Sequence, residues 1–249
     1  MTVLSDLLDL PLHPLISIVG AGGKTTTMYT LASELAQRGK RVITTTTTNI
    51  YFPKQDETDT LIVATEPSVL LKMVKAAWKQ HHRVTVAGRA IGSGKIAGLQ
   101  SDQPYELLMK CGADVVIVEA DGARHKMIKA PAEHEPVVPP ETNVALLIMN
   151  AEAINQPLSG EIAHRPERVA AVLGINQGDI LTPTLVSRLM TSEQGGMKNI
   201  PEMAKVYVLI THVMEERQDG VLEMASLVRG SGKASGVFCS AQCGEWFSI

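Results

Sequence analysis

Aromatic side chains are nearly absent from this chain. Phe, Trp and Tyr together make up 4% of its 249 residues, so any core must be packed from aliphatic groups. With 45% hydrophobic residues there is material for one large core. Cysteine is also scarce: Cys111, Cys239 and Cys243 make no disulfide framework, and Cys239 and Cys243 have no second pair to complete a metal site. A basic excess is missing as well. At a net charge of −3 the chain is not built for nucleic acid, which needs a clustered cationic face. The run Lys79-Gln80-His81-His82-Arg83 reads as the solvated end of a helix. No apolar run is long enough to cross a bilayer. The opening residues MTVLSDLLDLPLHPL carry Asp6 and Asp9 and no basic lead, unlike a signal peptide, and Leu4, Leu7, Leu8 and Leu10 predict a short docking helix. The expectation is a cytoplasmic protein without membrane or nucleic-acid partners.

What the chain does have is alternation. β-branched runs at 15–19, 42–47, 60–64, 115–119, 144–149, 206–210 and 236–240 read as strands. Between them, helical spacing predicts helices over 26–38, 66–80, 104–111 and 220–229, with Gly39 as the stop of the first. Residues 83–87 and 95–99 flank a glycine-rich 88–94 and predict a hairpin. Continuous Val/Ile runs alternating with helices imply an α/β fold with a mostly parallel sheet covered on both faces. Residues 151–201 predict helices at 165–173 and 183–190 but no strand. They read as a helical insertion, a lid or plain edge packing, within one domain spanning 1–249.

The stretch SIVGAGGKTTT, residues 17–27, falls between the first strand and the first long helix. A phosphate-binding loop needs glycines that turn backbone N–H groups inward, a lysine for the terminal phosphates and a hydroxyl for Mg²⁺. Gly20, Ala21, Gly22, Gly23, Lys24, Thr25 and Thr26 supply these at a helix start, where the helix dipole favours an anion. The outermost glycine of the usual pattern is replaced by Ile18. The compact form resembles the ATP loop of the Mur ligase and folylpolyglutamate synthetase group. A second candidate, Gly92-Ser93-Gly94-Lys95, is followed by Ile96 rather than a hydroxyl and reads as a hairpin turn.

A nucleotide site of this kind also needs an acid at a neighbouring strand end. Glu119 and Asp121 both qualify, as Mg²⁺ ligands or catalytic acids. Residues 122–141 follow, with four prolines and dense charge. A segment this long is either functional or a proline-stiffened solvated loop. There Arg124 and Lys129 could meet phosphates or an acidic ligand, and His134 and Glu135 could act as acid/base groups or metal ligands. Residues 44–48 are five threonines in a row, of which alternate hydroxyls could reach the phosphate site, Thr47 at the strand end above all.

GAGGKTT (20–26), TTTTT (44–48), VEADGAR (118–124), KAPAEHEP (129–136) and HRPE (164–167) together resemble, in matching order, the selenium-dependent hydroxylase accessory proteins of the YqeC type. The resemblance implies a P-loop NTPase fold associated with maturation of selenium-dependent molybdenum hydroxylases. It gives Lys24 and Thr25 the nucleotide and Mg²⁺ roles and Glu119 and Asp121 the acid role, and adds Arg124, Lys129, His134 and Arg165 to the site. Related sequences tend to carry an N-K-x-D-like run after the late strand, whereas this chain has Thr211-His212-Val213-Met214, so ATP is expected over GTP. Three functions stay open at this point: an ATP-hydrolysing maturation factor working on a hydroxylase or cofactor-maturation partner, a kinase or ligase for a small acceptor, and a non-catalytic nucleotide sensor. A homodimer is a further expectation, since switches of this fold often pair.

Overall fold

The computed structural model describes residues 2–92, 94–241 and 245–248. A one-turn helix α1 (Leu4–Leu7) precedes β1 (Leu15–Gly20), and α2 (Lys24–Gln37) follows the glycine loop. Next come β2 (Val42–Thr46), β3 (Asn49–Tyr51), β4 (Thr60–Val63), α3 (Pro67–Ala77) and β5 (Arg83–Ala87). A small hairpin, β6 (Arg89–Ile91) and β7 (Lys95–Ala97), leads to α4 (Gln103–Lys110) and β8 (Val115–Glu119). The second half contains β9 (Ile128–Lys129), β10 (Val144–Asn150), β11 (Ala163–His164), α5 (Pro166–Leu173) and α6 (Pro183–Met190). It ends with β12 (Lys205–Val213), α7 (Gln218–Gly230), β13 (Gly236–Ala241) and β14 (Trp246–Ser248).

Nine strands form one sheet in the order β14-β13-β12-β10-β1-β8-β2-β5-β4. Every neighbouring pair is parallel except β13 with β14. The mostly parallel α/β architecture expected from the strand spacing is thus present. β8 and β10 are buried along their whole length, which explains why all but their last residues, Glu119 and Asn150, are apolar. Ile16 and Ile18 of β1 pack on one face with Met28, Leu31 and Leu35 of α2 and with Leu4 of α1. The opposite face divides in two. Leu15, Val116 and Val118 pack with α3 and α4, while Leu147 and Val208 pack with α5, α6 and α7. Aliphatic groups dominate all three clusters, and Tyr29, Tyr207, Phe238 and Trp246 join them in the first.

Three local expectations need correction. The hairpin is made by β6 and β7, not by residues 83–87, because Val84 and Val86 are fully buried and hold β5 in the main sheet between β2 and β4. Its third strand, β3, pairs with β7 and was not foreseen. Residues 151–201 do contain a strand: two-residue β11 pairs with β9, Ala163 facing Ile128 and His164 facing Lys129. A pairing of that length leaves no periodic signal to read. Helix α2 also begins two residues earlier than its apolar spacing suggested, at Lys24. Ser93 and Cys243 lie outside the described residues. Cys239 is buried, and burial pushes its thiol up to about 12, which keeps it unreactive.

Candidate functional site

The strand ends of β1, β8, β2, β10 and β12 share one edge of the sheet, and the glycine loop crosses it. Gly20 has φ +100°, and a Cβ there would sit 2.2 Å from the Ile148 carbonyl oxygen. Gly22 has φ +81°, and its Cβ would lie 2.5 Å from that of Asn150. Only glycine lets the chain pass this close to β10. The Ala21 N–H donates to the Ile148 carbonyl at 2.9 Å, and the Thr211 hydroxyl at the end of β12 donates to the Gly22 carbonyl at 2.5 Å. The loop is therefore locked to the two strands on one side of β1. Gly23 is the N-cap of α2, which starts with Lys24 and Thr25.

On the other side of β1 stands Glu119, the last residue of β8. The Thr25 hydroxyl donates to its Oε2 at 2.7 Å. Lys24 is buried rather than solvent-facing, at 5% exposure, and its Nζ donates to the Gly20 carbonyl at 2.8 Å. The same ammonium lies 3.3 Å from Asp121 Oδ1 and 3.8 Å from Glu119 Oε1. Burial raises the Glu119 carboxyl above the usual range, and Lys24 and the Thr25 hydroxyl pull it partly back. Asp121 has a different environment. Its Oδ2 accepts from the Gly20 N–H at 3.2 Å and pairs with Lys129 at 2.9 Å, while Oδ1, buried, accepts no hydrogen bond among the described residues. The sequence could not assign these two acids separate places. The structure puts Glu119 on the threonine hydroxyl and Asp121 on the loop backbone and two lysines. A small, mostly apolar cavity lined by Gly20, Asp121, Lys129, Leu147, Met190 and Gly196 lies against this junction.

The 122–141 segment is not a solvated loop. Residues 128–132 are buried, and Lys129 reaches the Gly122 carbonyl at 2.7 Å and Glu135 at 3.0 Å. Arg165 grips Glu135 with both guanidinium nitrogens, at 2.6 and 3.1 Å. Burial alone would push the Glu135 carboxyl up, but Arg165 and Lys129 outweigh it and hold it at about 2. Arg168 of α5 donates to the Pro131 carbonyl and Asn199, beyond α6, to the Pro136 carbonyl, both at 2.9 Å, so the 151–201 segment clasps this strap. His164, facing Lys129 across β9–β11, is held down to about 4 by burial and by Arg165 and Lys129, which keeps its imidazole neutral.

Of the residues expected at the site, Lys24, Thr25, Glu119, Asp121, Lys129 and Arg165 come together in one connected set. Arg124 and His134 stay at the rim. Arg124 is exposed with φ +48°, and the His134 side chain is 78% exposed, 3.9 Å from Glu135. His125, beside Arg124, stacks on Tyr51 of β3 with ring centroids 6.0 Å apart. The threonine run is used mostly for strand pairing. Thr44 bonds Thr85 at 2.8 Å, Thr45 the Val86 carbonyl at 2.8 Å and Thr46 the Glu119 carbonyl at 2.7 Å. Thr47 donates to the Val137 carbonyl at 2.6 Å, tying the strap to β2. Thr26 is exposed on the first turn of α2. Thr211 and the clasping role of Glu135 escaped sequence reasoning, although Thr211 carried one signal: it is a hydroxyl at the end of a strand two places from β1.

Residues 16–167 match the family model described as YqeC protein. The protein YqeC of Escherichia coli is 29% identical over 195 residues, covering 75% of this chain and 71% of that protein. Among solved structures, the signal recognition particle 54 kDa protein of Aeropyrum pernix in complex with GDP aligns with 95% of this chain and 44% of its own, at 15% identity and a TM-score of 0.43. The cell division protein FtsY of Thermotoga maritima aligns with 97% of this chain and 66% of its own, at 14% identity and a TM-score of 0.41. The chain thus spans less than two thirds of the length of both solved proteins.

Proposed function

The chain belongs to the YqeC protein family, and on that premise we propose that it is a nucleotide-binding and nucleotide-hydrolysing accessory factor that uses ATP with Mg²⁺. One observation carries this reading. The Thr25 hydroxyl and the Glu119 carboxylate meet at 2.7 Å beside the buried Lys24, at the N-terminus of α2 and over a loop that only glycine can form. These are the groups that Mg²⁺ and terminal phosphates require. Among the described residues no three His, Cys, Asp or Glu side chains gather to hold a metal unaided. That suits Mg²⁺, which is held by one or two carboxylates together with nucleotide phosphates. Thr25 and Glu119 would hold the ion, with Asp121 next to them. When bound, Mg²⁺ supplies charge neutralisation at the phosphate oxygens.

The protein's own groups would do the rest. Gly22 and Gly23 offer backbone N–H groups to phosphate, while the N–H groups of Gly20 and Ala21 hold the loop to Asp121 and Ile148, and Lys24 turns from the Gly20 carbonyl to the anion. Among the described residues, Asp121 Oδ1 is the only fully buried carboxylate oxygen that accepts no hydrogen bond, and it would orient an attacking water. ATP is favoured over GTP because Thr211 is committed to the loop, His212 Nδ1 lies 3.1 Å from the Thr211 hydroxyl, and Met214 offers no carboxylate to a guanine edge. The activity would serve maturation of a molybdenum hydroxylase or its cofactor, on a partner protein.

Calorimetry with ATP·Mg²⁺ tests this directly. The wild-type chain should bind, should lose affinity when Mg²⁺ is chelated, and should prefer ATP to GTP. Equal affinity in Lys24→Ala would sink the phosphate-loop assignment. Hydrolysis should be slow alone and faster with the partner. Asp121 Oδ1, which accepts no hydrogen bond, also favours a second reading, in which it takes the proton of a small acceptor. ATP consumption that depends on a small acceptor, with a phosphorylated or adenylated product, would decide for that kinase or ligase. Binding without turnover under any condition would decide for a sensor.

A further inference from the structure

Lys24, Asp121, Lys129, Glu135 and Arg165 form an alternating row of cations and carboxylates from the phosphate loop to the start of α5. The links are 3.3 Å for Lys24–Asp121, 2.9 Å for Asp121–Lys129, 3.0 Å for Lys129–Glu135 and 2.6 Å for Glu135–Arg165. The inner members are almost fully buried, with the Lys24, Asp121 and Lys129 side chains at 2–4% exposure. Backbone fixes both ends. Gly20 N–H binds Asp121, and Arg165 caps α5 in a left-handed conformation, φ +60° and ψ +65°, directly before Pro166. Pairing of β9 with β11 sets Lys129 opposite His164, the residue before Arg165. A non-glycine residue in the left-handed region is strained and persists where its surroundings hold it.

We propose that Glu135 is a positioning residue of the phosphate site: clamped by Arg165, it shares Lys129 with Asp121 and so sets how strongly Asp121 competes for Lys24. This rests on the nucleotide reading of the site and adds the residue through which the 151–201 helices act on it. Asp121 has two ammonium groups within ion-pair distance, and Glu135 draws on one of them. Removing the Glu135 charge leaves Lys129 wholly to Asp121, frees Lys24 for phosphate and adds net positive charge to the site. Removing the Arg165 charge does the reverse, because Glu135 then draws Lys129 away and Asp121 keeps Lys24.

The two variants Glu135→Gln and Arg165→Gln break the same ion pair from opposite ends. A scaffolding role would weaken nucleotide binding in both alike. The positioning role predicts opposite signs, with ATP·Mg²⁺ binding about threefold to tenfold tighter in Glu135→Gln and weaker by a similar factor in Arg165→Gln. Turnover should fall about tenfold in both, as it does when supports of a reactive group are lost. Affinities that move together, or not at all, overturn the proposal. The Gly20 amide in an ¹⁵N–¹H spectrum of the nucleotide-free protein gives an independent readout, since it touches Asp121 and not Glu135. It should shift in both variants, and an unmoved signal overturns the proposal whether or not the chain binds ATP. Failure of the wild type to bind ATP·Mg²⁺ strikes the preceding reading, while the Gly20 signal still decides this one. Should Glu135→Gln fail to fold, Arg165→Lys, which keeps the charge but not the fork, takes its place. Affinity should then stay within about twofold and the Gly20 amide should move; an unmoved amide there overturns the proposal.

Discussion

Residues 17–27 and residues 122–141 both close on Asp121, and they reach it by different means. The glycine loop gets there through backbone: its N–H and carbonyl groups bond β10, Thr211 and Asp121, and its shape depends on φ values that side-chain-bearing residues avoid. The strap gets there through charged side chains, with Lys129, Glu135 and Arg165 meeting across 6 and 30 positions of sequence. Backbone demands leave a compact trace, a glycine at each tight point and a lysine at a set distance. Ion pairs leave none, because any acid and any base at any separation would look the same. Parts of one site can therefore differ completely in how visible they are.

The largest effect should come where both means meet. Lys24→Ala removes the proposed phosphate ligand and leaves Glu119 and Asp121 buried with less compensation. ATP binding should fall beyond detection, and unfolding in urea should show a loss of about 3 kcal/mol. An unchanged midpoint would mean that Lys24 is not part of the buried network. Gly20→Ala addresses the backbone half alone. A Cβ 2.2 Å from the Ile148 oxygen at φ +100° should cost about 2–3 kcal/mol by the same measurement. A neutral result would show that the loop can open away from β10.

For the strap, Arg165→Met removes the fork on Glu135 and should cost about 1.5 kcal/mol. The same half can be probed with acid. The Glu135 carboxyl stands at about 2 in the folded chain against an ordinary 4.5, so its contribution is complete above that ordinary value and disappears as pH falls toward about 2. The melting-temperature gap between wild type and Glu135→Gln should therefore close over that window. A gap that is constant with pH would mean that the contact acts by shape and not by charge. The smallest effect should be Thr47→Val, which loses one hydroxyl bond to the Val137 carbonyl, about 1 kcal/mol. If ATP binding also weakened tenfold, Thr47 would belong to the phosphate site as well as to the strap.

The same contrast governs what could be read in advance. The parallel sheet, the glycine loop and the acid at the end of β8 follow from composition runs and spacing, because β1, β8 and β10 are buried and are apolar along most of their length. The hairpin boundary was missed because residues 83–87 look alike whether they turn back or stay in the sheet, and only the burial of Val84 and Val86 decides. The burial of Lys24 leaves no trace in the sequence, because its neighbours Glu119 and Asp121 come from the end of β8 and the residues after it, far along the chain. The threonine run misled for a similar reason. Its hydroxyls could serve a ligand or adjacent strands, and the partners that settle it, Thr85, Val86, Glu119 and Val137, are distant in sequence.

β1 is placed between β8 and β10, with Leu15 facing Val116 and Ile16 facing Val144. Both neighbours of the first strand are thus made long after it leaves the ribosome. Until they arrive, LISIVG has two open edges and no sheet to join, and the glycine loop has neither the Ile148 carbonyl nor Asp121 to close on. Loops of that size are slow to close, and an apolar strand waiting unpaired is a site for misassembly. Assembly of the site should therefore be a late, all-at-once event in synthesis. A truncated chain ending before β8 should emerge aggregation-prone, however well its first helix forms.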